Sequence, residues 1–198
     1  MSPVTIALFG ISGSGKGTQA DMLEKFLHRE NPKRGIARAE MGALARAYMK
    51  TGTPLAKRAE KIVSDGGLLP SFIPIYLLVN TLNESFTGDE HIILDGTCRK
   101  PLQSMITDEI AQFYDRKEKH AIMLTVGKET ARARLISRGR QDDATEAALL
   151  RRFSWFKEDV IPAYETLKEC GWSTHEVNGE DSIETIHKTI LSLLGFAQ

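Results

Sequence analysis

The chain has 198 residues, with 26 lysines and arginines balanced by 26 aspartates and glutamates, so its formal net charge at pH 7 is zero. Apolar residues make up 41% and charged residues 26% of the sequence, which is typical of a globular protein. A neutral chain lacks the basic excess that attracts nucleic acid or anionic membranes, so we expect neither as a partner. Any bound anion must be held by a local group of cations.

A length near 200 residues predicts a single domain that can bury a core without disulfides or a structural metal. The two cysteines, Cys98 and Cys170, are too few for a disulfide framework, which favours a reducing compartment. The N-terminal segment does not resemble a signal peptide, and the longest apolar run, residues 73–79, is too short to span a bilayer. We therefore expect a cytoplasmic protein.

Short apolar segments alternate with longer amphipathic segments, a pattern typical of an α/β protein. The predicted strands are residues 4–9, 35–39, 91–94, 121–126 and 173–177. The predicted helices are residues 15–30, 41–50, 54–64, 72–85, 101–115, 129–137, 144–169 and 182–194. Because three of the strands are almost continuously apolar, we expect a five-stranded parallel sheet covered by helices on both faces.

The first strand runs into the glycine-rich segment Gly10-Ile11-Ser12-Gly13-Ser14-Gly15-Lys16-Gly17-Thr18, and an amphipathic helix follows. Strand, glycine loop and helix in this order are the context of a phosphate-binding P-loop. Glycines let backbone N–H groups curl around phosphate oxygens, the helix N-terminus adds a positive dipole, and Lys16 adds a point charge. The alternative is a glycine-rich turn that binds nothing. The expected nucleotide-binding residues are Gly13, Ser14, Gly15, Lys16, Gly17 and Thr18.

Asp95 follows the third predicted strand, at the edge of the sheet where the P-loop is expected to lie. A carboxylate beside bound phosphates can hold Mg²⁺ directly or through water. The alternative is a strand-end carboxylate that caps the turn with Gly96.

Six arginines and no lysine lie between residues 132 and 152. The planar guanidinium group suits multidentate phosphate contacts, and phosphoryl transfer depends on positive charge placed over the transferring group. Arg138 and Arg140 flank a glycine, and the loop could close over a nucleotide while Asp142 or Asp143 orients an arginine. The alternative is a solvated charged face, to which Arg132 in particular could belong.

These motifs together resemble the adenylate kinase-like nucleoside monophosphate kinases, in their short-lid form, over nearly the whole chain. The segments 41–46, 51–52 and 66–70 are similar to landmarks of that family's monophosphate-binding insertion, and Asp95-Gly96-Thr97-Cys98-Arg99 lies where the family has Asp-Gly-Phe-Pro-Arg. The resemblance implies a P-loop NTPase fold and one kinase domain spanning residues 1–198. The helical insertion would occupy about residues 40–70 and the short lid about 138–146.

The resemblance also implies an activity, the reversible transfer of the γ-phosphoryl group of Mg-ATP to a nucleoside monophosphate, with AMP the first expectation. Arg46 and Arg99 would hold the monophosphate, and Gln103 would hydrogen-bond its adenine. The remaining acceptor-site residues would be Met41, Gly42, Leu68, Leu69 and Gly96.

On the donor side, the resemblance implies that Arg134 stacks on the ATP base and that the backbone of the Asn178-Gly179 turn approaches the same base. Asp95 would hold Mg²⁺, through water. The groups implied to stabilise the transferring phosphoryl group are Lys16, Arg99, Arg138, Arg140 and either Arg151 or Arg152, with Asp142 and Asp143 orienting the lid. No structural zinc is expected, because the family's four-cysteine set is absent, and we expect a monomer.

Two departures from the family pattern fall on the acceptor side. Met41 and Ala43 replace the usual threonine and aspartate, and Thr97-Cys98 replaces Phe-Pro. These changes leave two alternatives open: a kinase for UMP, CMP or another monophosphate, or a nucleotide-binding regulatory protein with weak transfer activity.

Overall fold

Five strands form one parallel sheet in the computed structural model, which describes residues 2–139 and 145–196. They are β1 (Val4–Gly10), β2 (Ile36–Glu40), β3 (His91–Asp95), β4 (Glu118–Thr125) and β5 (Ser173–Asn178). Their spatial order is β2-β3-β1-β4-β5, and all neighbouring pairs run parallel. This arrangement confirms the α/β fold class and the five-stranded parallel sheet that the sequence predicts.

Helices follow each of the first four strands, and one more follows β5. Within the described ranges they are α1 (Lys16–Glu30), α2 (Met41–Met49), α3 (Pro54–Ser64), α4 (Phe72–Ser85), α5 (Pro101–Phe113), α6 (Lys128–Arg138), α7 (Glu146–Trp155), α8 (Ile161–Glu169) and α9 (Ile183–Leu193). None of the described helices combines the length and the apolar character that crossing a membrane requires.

The single helix predicted over residues 144–169 is wrong in detail. The structure instead has α7 and α8 joined by a π-helical turn, Phe156–Val160, in which the N–H of Ile161 bonds to the carbonyl of Phe156. Pro162 explains the wider turn, because it lacks the N–H that an α-helix needs there and its ring would clash with the preceding turn. The start of the prediction, residue 144, lies outside the described residues.

Both faces of the sheet are buried, as the apolar strands predict. Every residue of β1 is buried, and its side chains alternate between two cores. Ile6 and Leu8 pack with apolar residues of α1 and α9, whereas Ala7 and Phe9 pack with residues of α4 and α8. Complete burial of such a side chain stabilises the fold by roughly 1.5–3 kcal/mol, so the position of β1 is strongly fixed.

The long excursion between β2 and β3 has a small apolar cluster of its own. Ala45 of α2, Ala59 of α3 and Ile73 of α4 pack there together with Leu69. α3 begins with Pro54, and the side chain of Thr53 caps it by accepting a hydrogen bond from the N–H of Ala56. The excursion is therefore an ordered helical insertion at the edge of the sheet.

Parallel pairing brings the carboxyl ends of the strands to one edge. Glu40, the last residue of β2, is in register with Asp95, the last residue of β3. The P-loop leaves β1 beside them, and the turn after β5 starts at the same edge. Open α/β sheets bind their ligands at this edge.

Candidate active site

A cleft of about 680 Å³ opens at the carboxyl edge of the sheet. Its walls come from the P-loop, the ends of β2 and β3, the helical insertion, and the helices α6 and α7. Of the residues predicted from sequence, those that line the cleft are Gly13, Ser14, Gly15, Lys16, Gly17, Thr18, Met41, Gly42, Arg46, Leu68, Leu69, Asp95, Arg99, Gln103, Arg134, Arg138 and Arg152.

Two predicted residues are described but do not line the cleft. Gly96 is buried beneath Arg99. Arg151 is exposed, and its Nη1 donates a 2.7 Å hydrogen bond to the carbonyl oxygen of Asp65. The structure therefore brings Arg152, and not Arg151, to the cleft. The remaining predicted residues, Arg140, Asp142 and Asp143, lie outside the described residues.

The P-loop curls around the ammonium group of Lys16. Its Nζ donates hydrogen bonds to the carbonyl oxygens of Gly10 at 2.8 Å and Ile11 at 3.0 Å, and to Ser14 Oγ at 3.3 Å. Gly13 has φ +88°, and a Cβ atom there would lie 2.5 Å from the carbonyl oxygen of Ala131 in α6. Both the left-handed backbone and the close approach of α6 therefore require glycine at this position.

Lys16 is surrounded by charge of both signs. Burial lowers the pKa of Lys16 to about 8, Asp95 opposes that shift, and Arg99, Arg138 and Arg152 add to it. Cations from three separate segments of the chain therefore converge on the P-loop lysine. Such a group favours a ligand with several negative charges.

Asp95 faces the P-loop from the end of β3. Its Oδ2 lies 3.5 Å from the place that a Cβ atom on Gly17 would occupy. Burial raises the pKa of Asp95 and Glu40 raises it further, whereas Lys16 and Arg99 oppose the shift. A buried carboxylate beside a phosphate-binding loop is the oxygen ligand that Mg²⁺ prefers, so the donor set fits this ion.

Apart from Asp95 and its neighbour Glu40, we find no larger metal-ligand set in the described ranges. Within residues 2–139 and 145–196, no three His, Cys, Asp or Glu side chains are grouped so that they could hold a metal ion. A hydrated Mg²⁺ bound mainly by nucleotide phosphates needs only one or two protein carboxylates.

Arg99 lines the cleft just after the end of β3. Its Nε donates a 2.9 Å hydrogen bond to the carbonyl oxygen of Gly96, and its guanidinium lies 5.7 Å from the ring centroid of Trp155. Gly96 has φ +63°, and a Cβ atom there would lie 3.2 Å from Arg99 Nη2. Glycine therefore lets the arginine fold back over its own loop.

Gln103 is fixed by the same loop. Its Oε1 accepts a 2.8 Å hydrogen bond from the backbone N–H of Arg99, and its Nε2 donates to Ser71 Oγ at 3.4 Å. Gln103 is only 3% exposed although it lines the cleft. A backbone N–H can only donate, so the amide oxygen must face Arg99 and the NH₂ group must point the other way.

Thr97 and Cys98, the departures from the family pattern in this loop, face the protein interior. Both are 3% exposed, and Cys98 Sγ donates to Thr107 Oγ1 at 3.2 Å. Neither residue lines the cleft. The presence of Thr-Cys in place of Phe-Pro therefore affects packing beneath Arg99 rather than the cleft wall.

Arg134 links α6 to the turn after β5. Its Nη2 donates a 3.0 Å hydrogen bond to the carbonyl oxygen of Gly179. A Cβ atom on Gly179 would lie 2.7 Å from Val126 Cγ1 and 3.4 Å from the carbonyl oxygen of Ser14. The turn is thus packed closely against the P-loop, next to Arg134.

The cleft residues that sequence reasoning missed include Arg38, Glu40 and Trp155. Glu40 forms ion pairs with Arg46, at 3.4 Å, and with Arg38, at 3.9 Å. Its place at the end of a strand parallel to β3 is a signal that could have found it, since the same signal identifies Asp95. Trp155 carries no local motif, and only the fold brings it to Arg99.

The parallel sheet, the P-loop and the cleft beside it are those of a P-loop kinase fold. The sequence model of the family described as adenylate kinase matches residues 8–172. Adenylate kinase 1 of Nostoc sp. (strain PCC 7120) is 30% identical over 190 residues, which cover 96% of this chain and 98% of that protein. Adenylate kinases of Synechococcus sp. (strain JA-2-3B'a(2-13)) and Corynebacterium aurimucosum are 30% and 29% identical, covering 96% and 95% of this chain and 95% and 97% of theirs.

The chain belongs to the adenylate kinase family. It is a nucleoside monophosphate kinase, a phosphotransferase that binds nucleotides, and kinases of this family use Mg-ATP.

Proposed function

We propose that this enzyme transfers the γ-phosphoryl group of Mg-ATP reversibly to AMP, forming two molecules of ADP. The observation that carries the choice of AMP is the orientation of Gln103. Its oxygen is held by the backbone N–H of Arg99, so its NH₂ group is the end that can donate to a base. The N1 atom of adenine accepts and matches this donor, as N3 of cytosine also would, whereas N1 of guanine and N3 of uracil carry hydrogens and do not. The relatives' names, adenylate kinase, agree with that choice.

The donor phosphates would bind at the P-loop. Residues 13–18 offer backbone N–H groups and the N-terminus of α1, and the Lys16 ammonium is already directed into the loop. Arg134, beside Gly179, would contact the ATP base. This arrangement would direct the terminal phosphate toward Asp95 and the acceptor end of the cleft.

The acceptor monophosphate would bind between Arg46 and Arg99. Arg46 is paired with Glu40 in the structure, so an incoming phosphate dianion would compete with this carboxylate for the guanidinium. Met41, Gly42, Leu68 and Leu69 would surround the nucleoside, with Gly96 beneath Arg99.

Transfer requires little covalent participation by the protein. An oxygen of the monophosphate forms the new bond to the γ-phosphorus, the bond from that phosphorus to the bridging oxygen breaks, and ADP leaves. The attacking oxygen is already anionic, so no general base is needed. The task of the protein is to align the two nucleotides and to place positive charge around the equatorial oxygens.

The cations proposed for that task are Lys16, Arg99, Arg138 and Arg152. Arg99, Arg138 and Arg152 all influence the pKa of Lys16, which indicates that their charges act at one place. Arg152 is 9% exposed and lines the cleft, so we assign the α7 cation of the transfer site to Arg152 rather than Arg151. Arg140, Asp142 and Asp143 keep their proposed roles in the lid on sequence grounds alone.

Asp95 would hold the Mg²⁺ that accompanies ATP, through water molecules. When bound, this ion neutralises the phosphate charge and orients the β- and γ-phosphates. Glu40 contributes negative charge at the same place, because it is in register with Asp95. We further propose that the enzyme is a cytoplasmic monomer, that it consists of one kinase domain and that it contains no structural zinc.

A kinase specific for UMP, CMP or another monophosphate is the second candidate. The observation that favours it is Met41, a buried apolar residue that lines the acceptor side where the family usually has a threonine hydroxyl. Initial rates with AMP, UMP, CMP and GMP at equal concentrations separate the two. We expect AMP to be the best acceptor. Equal or faster turnover of a pyrimidine monophosphate contradicts the AMP assignment, and tight binding without any ADP formation indicates a regulatory protein.

A further inference from the structure

Trp155, the last residue of α7, contacts both halves of the proposed acceptor site. Its Nε1 donates a 3.0 Å hydrogen bond to the carbonyl oxygen of Gly66, in the helical insertion. The guanidinium of Arg99 lies 5.7 Å from the centroid of its ring. The side chain is partly buried and lines the cleft. One indole therefore bridges the insertion and the arginine proposed to hold the acceptor phosphate.

The turn at Gly66 packs closely against α7. Gly66 has φ +76°, and a Cβ atom there would lie 2.8 Å from the Cα of Ala148. One residue earlier, the carbonyl oxygen of Asp65 accepts a hydrogen bond from Arg151. Ala148, Arg151 and Trp155 are spaced three and four residues apart, so they lie along one side of α7. The contact of Trp155 is thus part of a continuous seam between α7 and the insertion.

The aromatic face restricts Arg99 before any substrate arrives. A long arginine side chain loses much conformational freedom when it binds a phosphate, unless its guanidinium is already positioned. Arg99 is held on one side by the hydrogen bond to Gly96 and on another by the ring of Trp155. An aromatic ring attracts the cation without occupying the N–H groups that a phosphate needs.

We propose that Trp155 is a positioning residue for the acceptor monophosphate. It orients Arg99 through its ring and fixes the 65–66 turn of the insertion to α7 through its N–H. Because α7 also carries Arg152, the seam connects acceptor binding with a cation of the transfer site. The inference rests on the proposed function, since it assigns the acceptor phosphate to Arg99.

The kinetic test compares Trp155→Phe, Trp155→Leu and a matched control, Trp172→Phe. Trp172 is buried away from the cleft and donates to Asp108, so its replacement reports the general cost of losing a tryptophan. We expect Trp155→Leu to raise the KM for AMP at least tenfold and to change the KM for ATP less than twofold. Trp155→Phe keeps a ring but no N–H, and we expect an intermediate rise of about threefold. Trp172→Phe should leave both KM values within twofold.

A binding measurement supplies a second readout that does not depend on turnover. Trp155 and Trp172 are the two tryptophans of the chain, so the Trp172→Phe variant carries Trp155 as its single tryptophan. We expect AMP alone to change the emission of this indole, and we expect Arg99→Gln to remove most of that change. Trp155→Phe remains testable by KM and calorimetric AMP binding if Trp155→Leu does not fold.

The inference is overturned if Trp155→Leu, or Trp155→Phe in its place, binds AMP as tightly as the wild type. It is also overturned if the KM values for ATP and AMP rise equally, since that is the result of a general structural defect. Failure of the proposed function looks different, because the wild type then prefers another monophosphate. In that case the same variants are measured with the preferred acceptor. Unchanged acceptor binding, or an equal rise of both KM values, then overturns the inference.

Discussion

The side-chain oxygen of Gln103 accepts a 2.8 Å hydrogen bond from the backbone N–H of Arg99. The residue proposed to contact the acceptor base and the residue proposed to hold its phosphate are therefore joined directly. Rotation of the Gln103 amide would place its NH₂ group against the N–H of Arg99, so the orientation is fixed by the fold.

The variant Gln103→Glu tests this orientation. Glutamate has nearly the shape of glutamine, but it adds a negative charge and loses the NH₂ donor. The new carboxylate can still accept from the N–H of Arg99, and its second oxygen presents an acceptor where the amide presents a donor. We expect the KM for AMP to rise roughly tenfold, which corresponds to about 1.4 kcal/mol, with the KM for ATP unchanged. Steady-state rates at varied AMP and saturating ATP measure this effect. An unchanged KM for AMP would remove Gln103 from base recognition.

Loss of the Lys16 ammonium should slow transfer by orders of magnitude while the fold is retained. The Nζ atom donates to carbonyl oxygens of the P-loop itself. Lys16→Ala therefore removes charge at the proposed donor phosphates rather than core packing. We expect kcat to fall by roughly 10²–10³-fold, the usual cost of losing one group that stabilises the transition state. Lys25→Ala, an exposed position of the same helix, is the control for a lost lysine. Normal kcat in Lys16→Ala would refute the P-loop assignment.

The lowered pKa of Lys16 predicts pH-dependent nucleotide binding. In the free enzyme this pKa is about 8, chiefly because of burial, and triphosphate binding favours the charged form. Binding of an ATP analogue at about pH 8.5 should therefore be accompanied by uptake of a proton by Lys16. The Kd of the analogue should increase as the pH rises above the pKa of Lys16. Calorimetry in buffers of different ionisation enthalpy measures the uptake, which should vanish at about pH 6.5, where the lysine is already charged. If the Lys16→Ala variant takes up as many protons on binding as the wild type, the proton belongs to another group.

The same pKa has a defined effect on stability. The unfolded chain keeps the lysine proton up to its ordinary pKa of 10.5, whereas the folded chain loses it near pH 8. Between these two values the unfolded state binds more protons, so this group makes the free energy of unfolding rise with pH.

Adjacent arginines on α7 should behave differently. Arg152 lines the cleft and is buried, whereas Arg151 is exposed and bonds to the backbone of Asp65. We expect Arg152→Ala to lower kcat by roughly 10²-fold or more, as expected when a charge over the transferring group is lost. Arg151→Ala should lower kcat by less than about threefold, because a single exposed hydrogen bond contributes little. The reverse ranking of the two variants would show that α7 has the other register in solution.

Replacing Asp108, which lies remote from the cleft, should lower the free energy of unfolding. It is 4% exposed and accepts hydrogen bonds from Lys119 Nζ and Trp172 Nε1, both at 2.8 Å, and from Gln112 Nε2 at 2.6 Å. Asp108→Ala leaves the buried donors without their acceptor, and we expect it to cost about 3 kcal/mol in the free energy of unfolding. Denaturant titration measures this cost. Glu109→Ala, at the exposed neighbouring position, should change stability by less than about 0.5 kcal/mol.

The cost of Asp108→Ala should depend on pH. Burial opposes ionisation, but the hydrogen bonds from Lys119, Trp172 and Gln112 outweigh it and lower the pKa of Asp108. The stabilisation is therefore present above the unfolded pKa of about 3.9 and is lost as the pH falls through the folded value. A difference between wild type and variant that stays constant from about pH 7 down to about pH 2.5 would contradict this account.

The predictable part of the site is the part encoded by local spacing. The P-loop, Asp95 and the arginine after it each lie within one short segment, and the alternation of apolar runs predicts the sheet that brings these segments together. Glu40 and Trp155 were missed because their roles depend on pairing between distant segments: strand register for Glu40, and the seam with residue 66 for Trp155. The choice between Arg151 and Arg152 was equally beyond the sequence, since it depends on the rotation of α7.

The rotation of α7 relative to α8 depends on the π-helical turn that joins the two helices. Phe156–Val160 holds one residue more than an α-helical turn of the same rise. If all five residues instead continued as a regular α-helix, α7 would be rotated by about 100° relative to α8. Trp155 and Arg152 would then be aimed away from the cleft, although neither had been changed. The direction of two cleft side chains is thus set by a helical turn that is itself no part of the cleft wall.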